Sequence, residues 1–83
     1  MGQQYSAQFK TRTSLLLFGN GWAAPLVLYF DNPQDKYKEI QEILNSPSKA
    51  KMLELEATGP IKKVTVLASQ ITGVALQDEP QLQ

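Results

Sequence analysis

The chain has 83 residues, with eight basic and eight acidic side chains, and neither cysteine nor histidine. Those absences exclude disulfides, thiolate nucleophiles and the two side chains most used to hold transition metals. With 42% hydrophobic and 19% charged residues, the composition is that of a folded globule burying roughly 60–65% of its unfolded surface.

Residues 1–8 are polar and are expected to form a flexible N-terminal arm. Phe9-Lys10-Thr11-Arg12-Thr13 alternates and opens a strand. Leu15-Leu16-Leu17-Phe18 continues it as an apolar run, the pattern of a strand covered on both faces. Gly19-Asn20-Gly21 signals a hairpin turn, because both residue types tolerate positive φ. The returning strand is expected over Trp22 to Phe30. Leu26, Leu28 and Phe30 lie on one face, Val27 and Tyr29 on the other, and Pro25 is confined to an edge or a bulge.

Lys10 and Arg12 ahead of Ser14–Phe30 superficially resemble a signal or membrane segment. Gly19-Asn20-Gly21 and Pro25 interrupt that run, which is too broken for a spanning helix or a signal h-region. A cytoplasmic protein without a membrane span is the expectation.

Asn32-Pro33 starts a helix that runs to Asn45, with Asn32 as N-cap and Pro33 in the first turn. Tyr37, Ile40, Ile43 and Leu44 form its apolar face; Lys36, Lys38, Glu39, Gln41 and Glu42 form its wet face. Asn45-Ser46-Pro47 ends it.

Two alternating runs follow. Leu53, Leu55 and Ala57 alternate with Glu54 and Glu56; Val64, Val66 and Ala68 alternate with Lys63, Thr65 and Leu67. Folding the chain with Thr58–Ile61 as the loop sets Leu55 opposite Val64 and Leu53 opposite Val66. Glu56 then meets Lys63, and Glu54 meets Thr65. A one-residue slip would break both the apolar and the charged pairs. After Ala68-Ser69-Gln70, the residues Ile71, Val74 and Leu76 form a short last strand, kinked or bulged near Gly73. Residues 78–83 are polar, contain Pro80, and are expected to form a disordered tail.

The order β-β-α-β-β-(β) over residues 9–77 predicts one α+β domain. It would hold an antiparallel sheet of four to five strands with one amphipathic helix on one face. One helix leaves the other face for solvent or a partner.

The chemistry-bearing residues are few. Glu54 and Glu56 share a strand face, roughly 7 Å apart by strand geometry. The plain reading is a solvated face with Glu56 paired to Lys63. Ser69 has no histidine partner, and Gly19-Asn20-Gly21 lacks the lysine and the helix start of a phosphate loop. We expect no catalytic residue, no cofactor and no metal.

Two binding readings follow. Trp22, beside an exposed turn, together with Phe18, Val27 and Tyr29, points to a protein partner or a homo-oligomer. The alternative is a weak RNA- or DNA-binding module using Lys49, Lys51, Lys62 and Lys63 at one end of the hairpin. The first makes the chain a non-catalytic accessory or adaptor domain.

The order and several residues also resemble a small uncharacterised protein family of cyanobacteria and some plastids. The shared features are Pro25-Leu26, the helix from Pro33 to Asn45 and Leu53-Glu54-Leu55. Lys62-Lys63-Val64, Val66-Leu67, Ser69, Ile71 and Val74 complete them. The likeness covers roughly residues 13–77 and departs at Gln70, where an acid is expected, and in the longer arm through Arg12. It implies a lineage and a fold, and carries over no catalytic residue.

Overall fold

A computed structural model describes residues 9–46 and 52–82, with side chains described from 11 to 46 and from 52 to 80. Its elements are β1 (Phe9–Gly19), β2 (Leu26–Leu28), α1 (Pro33–Leu44), β3 (Met52–Glu56), β4 (Lys63–Leu67), a 3-10 turn (Ala68–Gln70) and β5 (Ile71–Leu82). The class is α+β, with one helix and five antiparallel strands among the described residues. The strands divide into two sheets, one ordered β2-β1-β5 and the other the β3-β4 hairpin.

The hairpin has the register its alternation dictates. Leu53 faces Val66, Glu54 faces Thr65, Leu55 faces Val64 and Glu56 faces Lys63. Its loop closes through Ala57 N–H donating to the Lys62 carbonyl at 2.8 Å, with Gly59 at φ +121 where a side chain would be strained. Lys63 Nζ lies 3.5 Å from Glu54 and 3.6 Å from Glu56. Leu53 and Leu55 are buried, whereas Met52, Glu54 and Glu56 are exposed.

The first turn folds differently from a tight hairpin. Trp22 N–H donates to the Gly19 carbonyl at 3.1 Å, placing Asn20 and Gly21 at the two central positions. Only Gly21 has positive φ, at +82. A turn with positive φ at its third residue alone splays the strands instead of matching their twist. The return is therefore a loop through Pro25, and β2 is limited to Leu26–Leu28 instead of the expected Trp22–Phe30. Pro25, with no N–H to contribute to a ladder, reinforces that late start.

The other large difference is at the C-terminal end. Instead of a disordered tail over 78–83, Asp78–Leu82 continue β5 and pair with Phe9–Thr13 of β1. Alternation of hydrophobicity fades there, but ladder hydrogen bonds do not depend on side-chain polarity. Thr13 also donates its hydroxyl to Asp78 at 2.8 Å. Gln83 and the arm over 1–8 lie outside the described residues. Nearer the start of β5, Phe18 faces Gly73 but Gly19 faces Ile71, so Thr72 is an extra residue, a bulge beside Gly73 as expected.

In α1, Pro33 occupies the first turn and Lys36 N–H donates to the Asn32 carbonyl at 3.1 Å. Asn32 holds the cap position, yet its side chain makes no capping hydrogen bond. Ile40 is completely buried, with Tyr37, Ile43 and Leu44 packed around it.

The core gathers Leu15, Leu17, Leu28, Ile40, Leu53, Leu55 and Ile71. Each buried leucine contributes roughly 1.5–3 kcal/mol relative to exposure. The core takes Leu15 and Leu17 of β1 and the apolar face of the hairpin. Helix and hairpin together cover one face of the three-stranded sheet. Leu16 and Phe18 face the other way, half-buried and exposed, so the Leu15–Phe18 run is covered fully on one face only.

Candidate protein interaction surface

Opposite residues of an antiparallel ladder project to the same face. Leu16 faces Val27 on one side and Ala75 on the other, and Phe18 faces Gly73. These residues therefore share the outer face, away from α1. Leu16, Val27 and Ala75 are half-buried, Phe18 is 39% exposed, and none belongs to the core or packs against it. The Phe18 side chain lies beside Gly73 of β5, its ring 3.7 Å from where a Cβ would stand, an ordinary contact distance.

The same face becomes polar toward the other end. Ser14, completely buried, donates to the Gln77 carbonyl at 3.2 Å. Arg12 faces Glu79 in the ladder. The Arg12 guanidinium lies over the Tyr29 ring, Tyr29 donates its hydroxyl to Glu79 at 3.0 Å, and Arg12 donates to the Gly59 carbonyl at 3.1 Å. The hydrogen bond to Glu79, then loss of hydration and the negative charge of Glu79, push the Tyr29 hydroxyl above its usual pKa; Arg12 pulls the other way.

Of the four residues singled out from sequence for a protein contact, the structure brings Phe18 and Val27 into one apolar patch. Tyr29 lies on the same face but is committed to Arg12 and Glu79. Trp22 packs against the core and, with Ala24, Pro25, Leu26, Val64 and Val66, lines a shallow groove of about 310 Å³; it also meets Phe18 in a second pocket of about 140 Å³ with Gly19, Ala23, Ala24 and Pro25. Its ring rests against Gly19, where a Cβ would collide with it. Ala75 joins the patch through the alignment of β5 with β1, which no local pattern in the sequence signals.

Of the lysines, Lys49 and Lys51 lie outside the described residues. Lys62 is exposed, and Lys63 is shared between Glu54 and Glu56. The Glu54–Glu56 face thus carries a compensating cation. Among the described residues, no three acidic side chains are placed to share a metal ion, and no helix is long and apolar enough to cross a membrane.

No protein-family model, curated protein or solved structure matches the chain.

Proposed function

We propose that the chain is a non-catalytic accessory or adaptor domain of the cytoplasm that acts through protein–protein contact on the outer face of its three-stranded sheet. The observation that carries this reading is the patch of Leu16, Phe18, Val27 and Ala75. It is contiguous, apolar and outside the core, at the end of the outer face away from the contact between Arg12 and the hairpin loop. Apolar side chains grouped on an open face, with polar groups at one border, are the usual composition of an interaction surface. Ser14–Phe30 folds as two strands and a loop and so forms no membrane-spanning helix. Nucleic-acid binding is the weaker alternative, because Lys63 is already engaged by two carboxylates.

The test is capture from a cell lysate with the wild type and with Phe18→Glu/Val27→Lys, each with and without nuclease. A protein captured by the wild type in both halves, and lost with the double variant, supports the reading. Capture that disappears with nuclease, and is indifferent to Phe18 and Val27, transfers it to Lys62 and the neighbouring lysines.

A further inference from the structure

Sheet edges expose unpaired N–H and C=O groups, and natural sheets blunt them by short length, charge or proline. The β2 edge is three residues long and follows Pro25; the hairpin carries Glu54, Glu56 and Lys63. β5 differs. Among the described residues it pairs with β1 alone, and Ile71–Gln77 contains neither charge nor proline. Blunting residues begin only at Asp78, Glu79 and Pro80.

Pro80 also orients the edge. It stands opposite Thr11 and, lacking an N–H, fits the ladder with its nitrogen turned outward. Alternation then turns the N–H and C=O of Val74, Leu76 and Asp78 outward as well. Val74 and Leu76 are half-buried and pack against the core from this edge.

We propose that Gly73–Gln77 pairs antiparallel with the same segment of a second copy about a two-fold axis at Ala75. The result is one six-stranded sheet with the two β5 strands at its centre. The self-complementarity of the strand argues for a second copy. An axis at Ala75 sets Val74 opposite Leu76 of the other copy, twice, with outward backbone groups meeting as hydrogen-bonded pairs. It leaves Asp78 and Glu79 outside the paired segment. Moving the axis to Val74 draws the Thr72 bulge into the ladder. Moving it to Leu76 sets Val74 against a carboxylate, and moving it to Asp78 or Glu79 opposes a carboxylate to itself. This goes beyond the outer-face reading and uses the edge of the sheet instead of its face.

The absence of native cysteine makes the register measurable. Ala75 would meet its own copy as a non-hydrogen-bonded pair with Cα atoms about 4.5 Å apart, within disulfide range. Under mild oxidation, Ala75→Cys is expected to cross-link on the order of a hundredfold faster than Gln77→Cys alone, pairing having raised the local thiol concentration toward millimolar. A mixture of Gly73→Cys and Gln77→Cys is expected to cross-link as a heterodimer. Sedimentation of the wild type is expected at twice the monomer mass, unchanged by Phe18→Glu. A wild type that stays monomeric to millimolar concentration overturns the proposal. So does Ala75→Cys cross-linking no faster than Gln77→Cys, or a dimer abolished by Phe18→Glu. A monomer that still captures a protein through Phe18 and Val27 overturns the edge pairing and leaves the outer-face reading standing.

Discussion

The guanidinium carbon of Arg12 lies 3.4 Å from the centre of the Tyr29 ring. This contact joins elements far apart in sequence. Arg12 belongs to β1 and donates to Gly59 in the hairpin loop. Tyr29 follows β2, donates to Glu79 of β5, and accepts at its carbonyl from both the N–H (2.8 Å) and the hydroxyl (3.0 Å) of Thr58. The three-stranded sheet and the β3-β4 hairpin share no ladder, so this group of side chains is a principal polar link between them.

Arg12→Ala is therefore expected to destabilise the fold by about 1–3 kcal/mol, through loss of the cation–π contact and of a charged hydrogen bond. Tyr29→Phe keeps the stacked ring and removes only the hydroxyl, and should cost less. Urea unfolding of both variants checks the order; equal and negligible effects would mean that the link carries no stability.

Alkaline titration probes the same contact. Because the folded-state pKa of Tyr29 is raised, its contribution is fully present below the unfolded value of about 10. It is lost as pH rises through the folded value. Unfolding of the wild type and of Tyr29→Phe, followed from about pH 8 to about pH 11, should show the wild-type advantage shrinking at the alkaline end. Taking the difference isolates Tyr29. A constant difference across that range would contradict the raised pKa.

Two glycine substitutions should behave oppositely. Gly19→Ala drives a Cβ into the Trp22 ring, an overpacking expected to cost about 1–3 kcal/mol and to red-shift emission from the chain's one tryptophan. At Gly73 the added Cβ meets Phe18 at an ordinary 3.7 Å. Gly73→Ala should be neutral, or stabilising by about 0.5–1 kcal/mol. Thermal unfolding with tryptophan fluorescence reads both.

Within β3, Leu55 is 3% exposed and Met52 60%. Leu55→Ala is expected to lose about 2–5 kcal/mol, and Met52→Ala to change stability by no more than about 0.5 kcal/mol. Similar losses at both positions would show that the hairpin does not present Leu55 to the core.

The hairpin was legible because its information is local. Leu53, Leu55, Val64 and Val66 alternate with charged and polar residues around Thr58-Gly59-Pro60, and one register satisfies both faces. The helix was legible for the same reason, with Pro33 at its start and Ile40 on its buried stripe. The extent of β5 was not. Asp78–Leu82 carry little hydrophobic alternation, and their ladder hydrogen bonds to Phe9–Thr13 join positions more than sixty residues apart.

The candidate surface divides along the same line. Phe18 and Val27 stood out as apolar residues that one helix cannot cover. Their union with Leu16 and Ala75, the packing of Trp22 against the core and the commitment of Tyr29 to Arg12 and Glu79 depend on pairing between distant strands. The sequence by itself determined the α+β class, the helix and the hairpin register, because side-chain periodicity and turn chemistry act over a few residues. Only the tertiary structure decided that the strands divide into two sheets, that β1 and β5 form one long ribbon, and which apolar residues remain outside the core. Those outcomes rest on backbone pairing between distant segments, to which local periodicity is blind.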